Sequence, residues 1–400
     1  MNDKENDKMK KISEKIETPV SYEYDVAVVG GGVAGISAAL AAARSGARVA
    51  LVESTYTLGG LATSGLVTIY LPLCDGEGTQ VSFGIAEELL RLSIQHGAEG
   101  TKHPLPTCWL GSGTQQERRA RRYDVQFNPW FFAMDTERIL LSEGVKLIYG
   151  ASVVSVAKQD DRITHLIIEG RSGREAIAVS SVVDATGDAV VAYMSGARCA
   201  EFPYGNKLAA WYYYRSREGE GLTMLGVCDD MTEKSHDLTG KRYRALSTEE
   251  LTDMMIDSHA STYADLMKKR ERGDEIYPTA ISSIPQVRMT RRIVGKYTLD
   301  DTEIRKSLAD SVGVFSDWRK RGPVYELSFG ALCTEDIDNL FAAGRCISST
   351  DDMWDITRVI PVCAVSGEAA GVAAALLCEG NLDIDSLQQA LVSRGVKIHI

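Results

Sequence analysis

The 400-residue chain has no Cys-x-x-Cys pair, and its eight cysteines are well separated. This spacing argues against a zinc site and a disulfide framework, and it is typical of buried thiols in a reducing compartment. The six histidines show no metal-binding spacing either, so we predict no metal site. The chain also lacks a basic excess, since 44 Lys and Arg face 55 Asp and Glu, for a formal charge of −11. An acidic chain is a poor candidate for nucleic-acid binding.

The first residues lack the apolar core of a signal peptide. Acidic and basic residues alternate over residues 1–20, which predicts a solvated, mobile tail. Residues 26–43 and 359–377 are apolar, but glycines interrupt the first stretch, and Pro361 and Glu368 interrupt the second. Neither stretch is an unbroken membrane-spanning run. We therefore predict a cytoplasmic protein that contacts no membrane. Its composition, 44% hydrophobic and 25% charged, is that of a globular chain.

A β-α-β pattern opens the ordered part of the chain. Residues 24–29 are rich in β-branched side chains, which predicts a buried strand, and a G-x-G-x-x-G motif follows directly. An alanine-rich segment at 36–44 predicts a helix, and residues 48–52 predict a second strand that ends at Glu53. This order is that of a dinucleotide-binding unit.

Each residue of the motif has a physical role in such a unit. Gly30 permits the tight turn out of the strand, Gly32 lets the backbone approach a pyrophosphate, and Gly35 allows close packing of helix and strand. The helix N-terminus offers N–H groups and a positive dipole end to the phosphates. Glu53 stands where a carboxylate accepts ribose hydroxyls. Dinucleotide binding is therefore the strongest prediction.

The sequence after Glu53 favours a long cofactor. Gly59 and Gly60 would let a loop lie flat along it, and Thr63 and Ser64 could donate hydrogen bonds to its phosphates or ring. An NAD domain of the usual dehydrogenase type would instead continue with another regular repeat of strand and helix.

Later motifs complete a resemblance. An apolar strand ends in the DATGD motif of residues 184–188, a second strand ends in NLFAAGR at 339–345, and Pro361 is placed to start a helix of small residues. With R-x-x-P and G-x-A-A-G, the series resembles the FAD-dependent oxidoreductase family with glutathione-reductase-type FAD binding. The nearer resemblance is to a bacterial branch with GGxxTxGLV and AGRCIS motifs. It spans residues 24–380.

The resemblance implies an α/β fold. We expect a Rossmann-like FAD-binding domain of three layers with a parallel central sheet, and an inserted α+β substrate or cap domain. Alternating segments at 152–157, 163–169 and 175–179 predict a small antiparallel sheet before the strand of the DATGD motif. The predicted boundaries are a tail at 1–20, an FAD-binding domain at 21–75, 135–199 and 331–385, a cap at 76–134 and 200–330, and a C-terminal tail at 386–400.

The resemblance also implies a set of FAD-binding residues. Val153 would offer its backbone to the adenine, Gly344 and Arg345 would lie at the ribityl chain, and the helix after Pro361 would direct its N-terminus at the flavin. Arg345 stands where many superfamily members have an acid, which leaves the ribityl contact open. The predicted set is Gly30, Gly32, Val33, Ala34, Gly35, Glu53, Ser54, Gly59, Gly60, Ala62, Thr63, Val153, Ala185, Thr186, Gly187, Gly344, Arg345, Ile360 and Pro361. No histidine lies between 53 and 68, so we expect non-covalent FAD.

Four residues are candidates for the chemistry. Arg358 is the predicted cation of the catalytic pocket, and Asp351 and Asp352 could accept protons, with surface or capping roles as the alternative. Arg288 could recognise an anionic substrate or a flavin phosphate, or it could form an ion pair between domains. Residues 211–214 are aromatic and could line a pocket, but their alternation favours a half-buried strand.

These features predict an enzyme. It would transfer a hydride between flavin N5 and a small organic substrate, which is anionic if Arg288 binds it. A flavin monooxygenase or hydroxylase, and a non-catalytic flavin-binding electron-transfer partner, are the alternatives. The lack of Cys-x-x-Cys argues against a disulfide reductase. No second glycine triad follows a strand between 60 and 340, so electrons would come from the substrate, from transient NAD(P)H or from a redox partner protein. The oligomeric state is left open.

Overall fold

The computed structural model describes residues 12–100, 102–226 and 240–400. Residues 1–11 of the predicted tail, Thr101 and residues 227–239 of the predicted cap, and with them Cys228, lie outside the described residues. Residues 12–19 have no regular secondary structure, and the first strand begins at Val20.

The helices and strands are numbered here in chain order. The α-helices of the described residues are α1 (Val33–Arg44), α2 (Ile85–Ser93), α3 (Thr107–Leu110), α4 (Gln115–Ala120), α5 (Pro129–Ser142), α6 (Val190–Ser195), α7 (Thr248–Glu271), α8 (Asp351–Thr357), α9 (Ile360–Cys378) and α10 (Ile384–Ser393). Their strands are β1 (Val20–Val29), β2 (Val49–Glu53), β3 (Ile69–Tyr70), β4 (Val125–Gln126), β5 (Lys146–Tyr149), β6 (Ser152–Gln159), β7 (Arg162–Gly170), β8 (Gly173–Asp184), β9 (Cys199–Glu201), β10 (Ala210–Ser216), β11 (Gly219–Leu225), β12 (Tyr277–Ile281), β13 (Arg291–Ile293), β14 (Ser311–Ser316), β15 (Val324–Ser328) and β16 (Leu340–Ala342).

A seven-stranded sheet organises the fold. Its order is β5-β2-β1-β8-β7-β6, and β16 pairs with β8. Strands β5, β2, β1, β8 and β16 are parallel, whereas β7 is antiparallel to both β8 and β6. The predicted α/β class with a parallel central sheet is therefore confirmed. Strands β2 and β16 and the last four residues of β1 and β8 are buried on both faces, which explains why these segments are largely apolar.

One prediction about this sheet needs correction. Residues 175–179 and the strand before the DATGD motif were expected as two strands, but both belong to the single strand β8. Its first half pairs with β7 up to Ala178, and its last residues pair with β16 from Val182. Strand β1 pairs with both halves of β8 along the other edge of that strand, so the backbone of β8 continues without a turn.

Helix α1 packs closely against helix α9. A Cβ atom at Gly367 would collide with the carbonyl oxygen of Ala34, and one at Gly371 would collide with that of Ala38. Small residues at these positions therefore let the two helices approach backbone to backbone. Helix α9 is long and apolar enough to cross a membrane by length and composition, but 83% of its apolar window is buried inside the protein. It is the core helix of this fold.

Smaller sheets and helices surround this core. Strands β11, β10 and β12 form an antiparallel sheet that helix α7 contacts, and the hairpin β14–β15 packs on α9. The main buried cluster includes Leu89 and Phe315, from segments assigned to the cap, together with residues of the central sheet. The division into FAD-binding and cap domains therefore stays a prediction.

The end of the chain differs from the predicted tail. Residues 386–400 include most of helix α10, and Leu387 and Leu391 on that helix are fully buried. Gln388 donates hydrogen bonds to the carbonyl oxygens of Ala309 and Ser311, which ties the helix to the start of β14. The feature of the sequence that predicts helix α10 is its amphipathic pattern, because the segment carries no motif.

Replacement of Gly371 by alanine tests the contact between α1 and α9. The added methyl group gains helix propensity, but the backbone of Ala38 must move to admit it. Overpacking of a dense interior costs about 1–3 kcal/mol, so we expect Gly371→Ala to lower the free energy of unfolding by about that amount. Urea unfolding measures it. Gly111→Ala is the control, because a Cβ there meets nothing closer than 3.7 Å. Equal stability of Gly371→Ala and wild type would contradict the packing.

A buried carboxyl group joins α9 to α2. Oε2 of Glu368 accepts a hydrogen bond from the backbone N–H of Ile85 at 2.8 Å, at the first turn of α2. The residue is 3% exposed, and burial raises the pKa of its carboxyl group to about 7. Arg394 and Arg44 lower this pKa, but their effect is smaller than that of burial.

The raised pKa of Glu368 predicts a pH dependence of stability. The folded state holds the proton more tightly than the unfolded state, whose carboxyl group titrates near 4.5. The stabilisation is complete below that value and is lost as the pH rises through about 7. Glu368→Gln keeps an oxygen acceptor and does not titrate. We expect the variant to gain about 2–3 kcal/mol over wild type between pH 5 and pH 8, measured by urea unfolding. A difference that does not change with pH would refute this.

Candidate functional site

A cavity of about 390 Å³ opens at the carboxyl ends of the parallel strands. Val29 ends β1, Glu53 ends β2, and Ala185 and Ala343 follow β8 and β16, and all four line the cavity. Ligands of open α/β sheets bind in the crevice at this edge. The volume is in the range of cavities that hold a cofactor or substrate.

The glycine turn after β1 forms one wall of this cavity. Gly30 has φ +99°, and a Cβ there would lie 2.6 Å from the carbonyl oxygen of Ala185, so only glycine fits. A Cβ at Gly35 would collide with the carbonyl oxygen of Gly30, which explains the close approach of α1 to β1. At Gly32, by contrast, a Cβ would meet no atom within 4 Å, because this position faces open space.

Helix α1 presents its N-terminus to the cavity. Its N-cap residue is Gly32, no side chain caps the helix, and no acidic residue lies in the first turn. Val33 and Ala34 line the cavity. N–H groups at an uncapped helix N-terminus suit a phosphate group. The residues present therefore fit a pyrophosphate.

Glu53 ties the end of β2 to the glycine turn. Its carboxylate accepts hydrogen bonds from the backbone N–H of Gly31 at 2.7 Å and from the backbone N–H and hydroxyl of Thr55 at 2.7 and 2.8 Å. It is 8% exposed and lines the cavity. The predicted ribose contact is compatible with this position, and the structure adds a role in fixing the turn.

A second loop lies against the turn. The backbone N–H of Gly59 donates to the carbonyl oxygen of Gly31 at 2.8 Å, and Gly60 and Ala62 line the cavity. Thr63 does not line it. The hydroxyl of Thr63 is fully buried and donates to the carbonyl oxygen of Leu58 at 2.5 Å, so it supports the loop from behind.

Most of the predicted FAD-binding residues lie together at this cavity. The ones that line it are Gly30, Gly32, Val33, Ala34, Glu53, Ser54, Gly59, Gly60, Ala62, Val153, Ala185, Thr186, Gly187, Gly344, Arg345 and Ile360. Gly35, Thr63 and Pro361 are not in the wall. Individual contacts with the cofactor stay predictions.

Several lining residues were missed. Thr55, Leu61 and Asp188 are sequence neighbours of predicted residues, and that proximity was the available signal. Distant parts of the chain that carry no motif contribute Leu251, Ile284, Pro285 and Val287. Cys363 also lines the cavity, and burial raises the pKa of its thiol to about 11, so the thiol stays protonated at neutral pH.

Arg345 contributes a cation to the wall. Its Nη2 lies 3.5 Å from Oδ1 of Asp188, and its Nε is buried and has no hydrogen-bond partner among the described residues. A buried unpartnered donor is costly unless a ligand satisfies it. Together with the uncapped N-terminus of α1, the unpartnered Nε of Arg345 fits a cofactor that is rich in oxygen atoms.

Arg358 contributes a second cation, and a buried charge network holds it. Nε of Arg358 donates to Oδ1 of Asp355 at 2.9 Å, and Asp355 is 1% exposed. The same carboxylate lies 3.4 Å from Nη1 of Arg319, which is paired in turn with Asp317 at 2.9 Å. Arg358 lines the cavity, and its catalytic role stays a prediction.

The other catalytic candidates do not line this cavity. Asp351 forms an ion pair with Arg292 at 2.9 Å. Asp351 and Asp352 both lie in the first turn of α8, which fits the capping or surface roles considered as the alternative in the sequence analysis. The guanidinium of Arg288 stacks over Trp211, 5.6 Å from the ring centroid. Asp351 and Arg288 therefore have partners outside the cavity, and the catalytic roles of all three residues stay predictions. Among the described residues, no cluster of His, Cys, Asp or Glu could hold a metal ion.

Comparison with known proteins gives a family match. A family profile described as "FAD dependent oxidoreductase" matches residues 25–210 and 238–395. No curated protein matches the chain in sequence.

Three solved structures are similar to this chain at low sequence identity. A flavin-dependent brominase is 12% identical with a TM-score of 0.50, over 92% of this chain and 84% of that one. A p-nitrophenol 4-monooxygenase from Pseudomonas putida is 12% identical with a TM-score of 0.49, over 93% of this chain and 84% of that one. An aromatic hydroxylase from angucycline biosynthesis is 14% identical with a TM-score of 0.47. The match covers 93% of this chain but only 66% of that hydroxylase.

The open space at Gly32 gives a test of the cofactor site. A valine there fits without backbone strain, since φ is −69°, but its side chain projects toward the cavity where backbone must approach a pyrophosphate. We expect Gly32→Val to fold as wild type by circular dichroism and to bind FAD about tenfold more weakly or worse, measured by flavin absorbance after desalting. Gly111→Val is the matched control, since it lies outside the cavity wall. Full FAD content in Gly32→Val would place the cofactor elsewhere.

Proposed function

The chain belongs to the family of FAD-dependent oxidoreductases, and on that premise we propose that it transfers a hydride between a small organic substrate and bound FAD. The family match covers most of the chain and makes FAD the cofactor of this enzyme. The observation that carries the finer proposal is the wall of the cavity, which combines two uncapped helix N-termini with two arginines.

Each part of the wall has a role in this proposal. Bound FAD supplies the two-electron chemistry. The glycine turn and the N-terminus of α1 would hold the pyrophosphate, and Glu53 would accept hydrogen bonds from the ribose. Helix α9 begins after Val359 without a side-chain cap or an acid in its first turn, and Ile360 lines the cavity. Its positive dipole end and Arg358 favour negative charge at that end of the cavity.

Thiol chemistry is not part of this proposal. The described cysteines are all free, and the thiol of Cys363 at the cavity is held protonated by burial. The flavin would exchange electrons directly with the substrate, with transiently bound NAD(P)H or with a redox partner protein. The proposed compartment is the cytoplasm of a bacterium, in keeping with the branch that the motifs resemble. Arg288 has partners outside the cavity, so we do not include an anionic substrate.

Anaerobic reduction tests the proposed reaction. Purified holoenzyme is mixed with a panel of alcohols, amines, hydroxy acids and NAD(P)H, and flavin absorbance is followed. We expect at least one small molecule to bleach the flavin and to be recovered as its two-electron oxidation product. If only a co-purifying protein changes the spectrum, the protein is an electron-transfer partner instead. Substrate-dependent oxygen uptake with insertion of oxygen into the product would identify a hydroxylase.

The charge of Arg358 is expected to influence the reduction potential of the bound flavin. Loss of this cation leaves Asp355 with Arg319 alone and removes positive charge from the cavity wall. We expect Arg358→Gln to lower the reduction potential of the bound flavin by about 30 mV or more, which is about tenfold in the equilibrium constant for two electrons. Potentiometric titration measures it. Arg358→Lys should stay near wild type, and an exposed control, Arg321→Gln, should not change. An unaltered potential in Arg358→Gln would exclude the proposed role.

A further inference from the structure

The buried charge network behind Arg358 extends from the proposed FAD cavity into the protein. Its members alternate in sign, in the order Arg358, Asp355, Arg319 and Asp317. Arg358 lines the cavity, whereas the other three residues are not in its wall. The side chains of Arg319 and Asp317 are 9% and 0% exposed, so the far end of the network is also shielded from solvent. Buried pairs of this kind are screened little by salt.

Asp355 stands at the centre of this network. Its Oδ1 accepts a hydrogen bond from Nε of Arg358 at 2.9 Å, and its Oδ2 accepts one from Nη1 of Arg319 at 3.4 Å. Each carboxylate oxygen therefore holds one guanidinium group. Asp355 lies on α8 and Arg358 is the C-cap residue of the same helix, so the backbone also fixes the spacing of the two residues.

Arg319 is itself held in place by Asp317. Nε and Nη2 of Arg319 donate to the two carboxylate oxygens of Asp317 at 2.9 and 3.0 Å, which makes the pair bidentate. The backbone N–H of Arg319 donates to the same carboxylate at 2.9 Å. Nη1 is the part of this guanidinium that reaches Asp355. Arg319 is thus a fixed point to which Asp355 is attached.

Trp318 ties the same segment to α8 and to Arg358. Its indole N–H donates to the backbone carbonyl oxygen of Asp355 at 2.9 Å, and the guanidinium of Arg358 lies 5.8 Å from its ring centroid. Residues 317–319 belong to the segment predicted as the cap, whereas α8 belongs to the predicted FAD-binding domain. These contacts therefore connect the predicted cap to the wall of the FAD cavity.

A carboxylate beside Arg358 has two opposite effects on a bound flavin. Its own negative charge works against the positive field of Arg358 and disfavours the reduced flavin, which carries negative charge. Its hydrogen bond, in contrast, keeps the guanidinium in one position at the cavity wall. Arg319 balances the negative charge of Asp355 from the other oxygen, so the positioning effect outweighs the charge effect.

We propose that Asp355 and Arg319 are positioning residues, which hold Arg358 at the flavin and thereby raise the reduction potential of the flavin. This inference rests on the proposed function, in which Arg358 lies near bound FAD. Neither positioning residue lines the cavity, so the effect of both passes through Arg358. Part of the predicted cap thus helps to set the potential of the cofactor.

The reduction potential of the holoenzyme tests the role of Asp355, because charge and position give opposite signs. Loss of the negative charge alone would raise the potential. Loss of the positioning contact should instead lower it, and we expect Asp355→Ala to lower it by about 15 mV or more, about threefold in the equilibrium constant for two electrons. Asp355→Asn keeps the shape but not the charge-assisted hydrogen bonds, and we expect a shift of the same sign. It decides the question if Asp355→Ala does not fold, since breaking a buried pair is strongly destabilising.

The role of Arg319 is tested without a change of charge. Arg319→Lys keeps the positive charge but lacks the planar fork that binds two carboxylates. Its direct electrostatic effect on the flavin is therefore conserved, and a shift reports the position of Arg358. We expect the potential to fall by about 10 mV or more, about twofold in the equilibrium constant for two electrons.

Each substitution is repeated in the Arg358→Gln background. A positioning effect needs the guanidinium of Arg358, so the shifts should vanish there, whereas a loss of stability should remain. Asp124→Asn is the matched control, because Asp124 is 5% exposed, forms an ion pair with Arg121 and is not in the cavity wall. We expect it to lower the free energy of unfolding in urea and to leave the potential unchanged.

The outcomes separate this inference from the proposed function. A raised or unchanged potential in the Asp355 variants, an unchanged potential in Arg319→Lys, or a shift that persists in the Arg358→Gln background overturns the inference. A similar shift in Asp124→Asn does so too, because it would follow from lost stability alone. Potentiometry needs no substrate, so none of these results touches hydride transfer. If Arg358→Gln itself leaves the potential unaltered, the proposed role of Arg358 fails and this inference fails with it.

Discussion

The close approach of helix α1 to its neighbours is the constraint on which the site depends. Gly35 brings α1 against the glycine turn at Gly30, and Gly367 and Gly371 bring α9 against its side. A Cβ at Gly344 would lie 2.8 Å from that of Ala34, so the loop after β16 is also drawn against α1. Larger side chains at these positions would separate the elements, because dense interiors tolerate little added volume.

This packing places two helix N-termini at one cavity. Val33 and Ala34 of α1 and Ile360 of α9 line the same space, and neither helix has a side-chain cap. In most proteins a Ser, Thr, Asp or Asn side chain would satisfy such N–H groups. Their absence here leaves the positive ends of both dipoles for a ligand, and Arg345 and Arg358 add to the same field. The cavity is therefore built for an anionic cofactor, as FAD is.

The parts of the fold that local sequence determines were predictable. The turn at Gly30, helix α1 and strand β2 follow one another within a short segment, and each has a steric reason to form. Strand β8 was harder, because its first half alternates in burial whereas its last four residues are buried on both faces. That change of pattern predicts two strands, whereas the structure has one continuous strand whose partner changes from β7 to β16. The partners of Asp351 and Arg288 could not be predicted, since Arg292 and Trp211 are distant in sequence or on other elements and only the fold brings them close.

A crystal structure of the protein with FAD tests the central claim most directly. The account predicts the pyrophosphate within hydrogen-bond distance of the backbone N–H groups at the start of α1, with an oxygen of the cofactor on the buried Nε of Arg345. The flavin ring would lie near the N-terminus of α9 and Arg358. Density for FAD outside the cavity at the carboxyl ends of β1, β2 and β8, or a pyrophosphate with no contact to α1, would contradict the account.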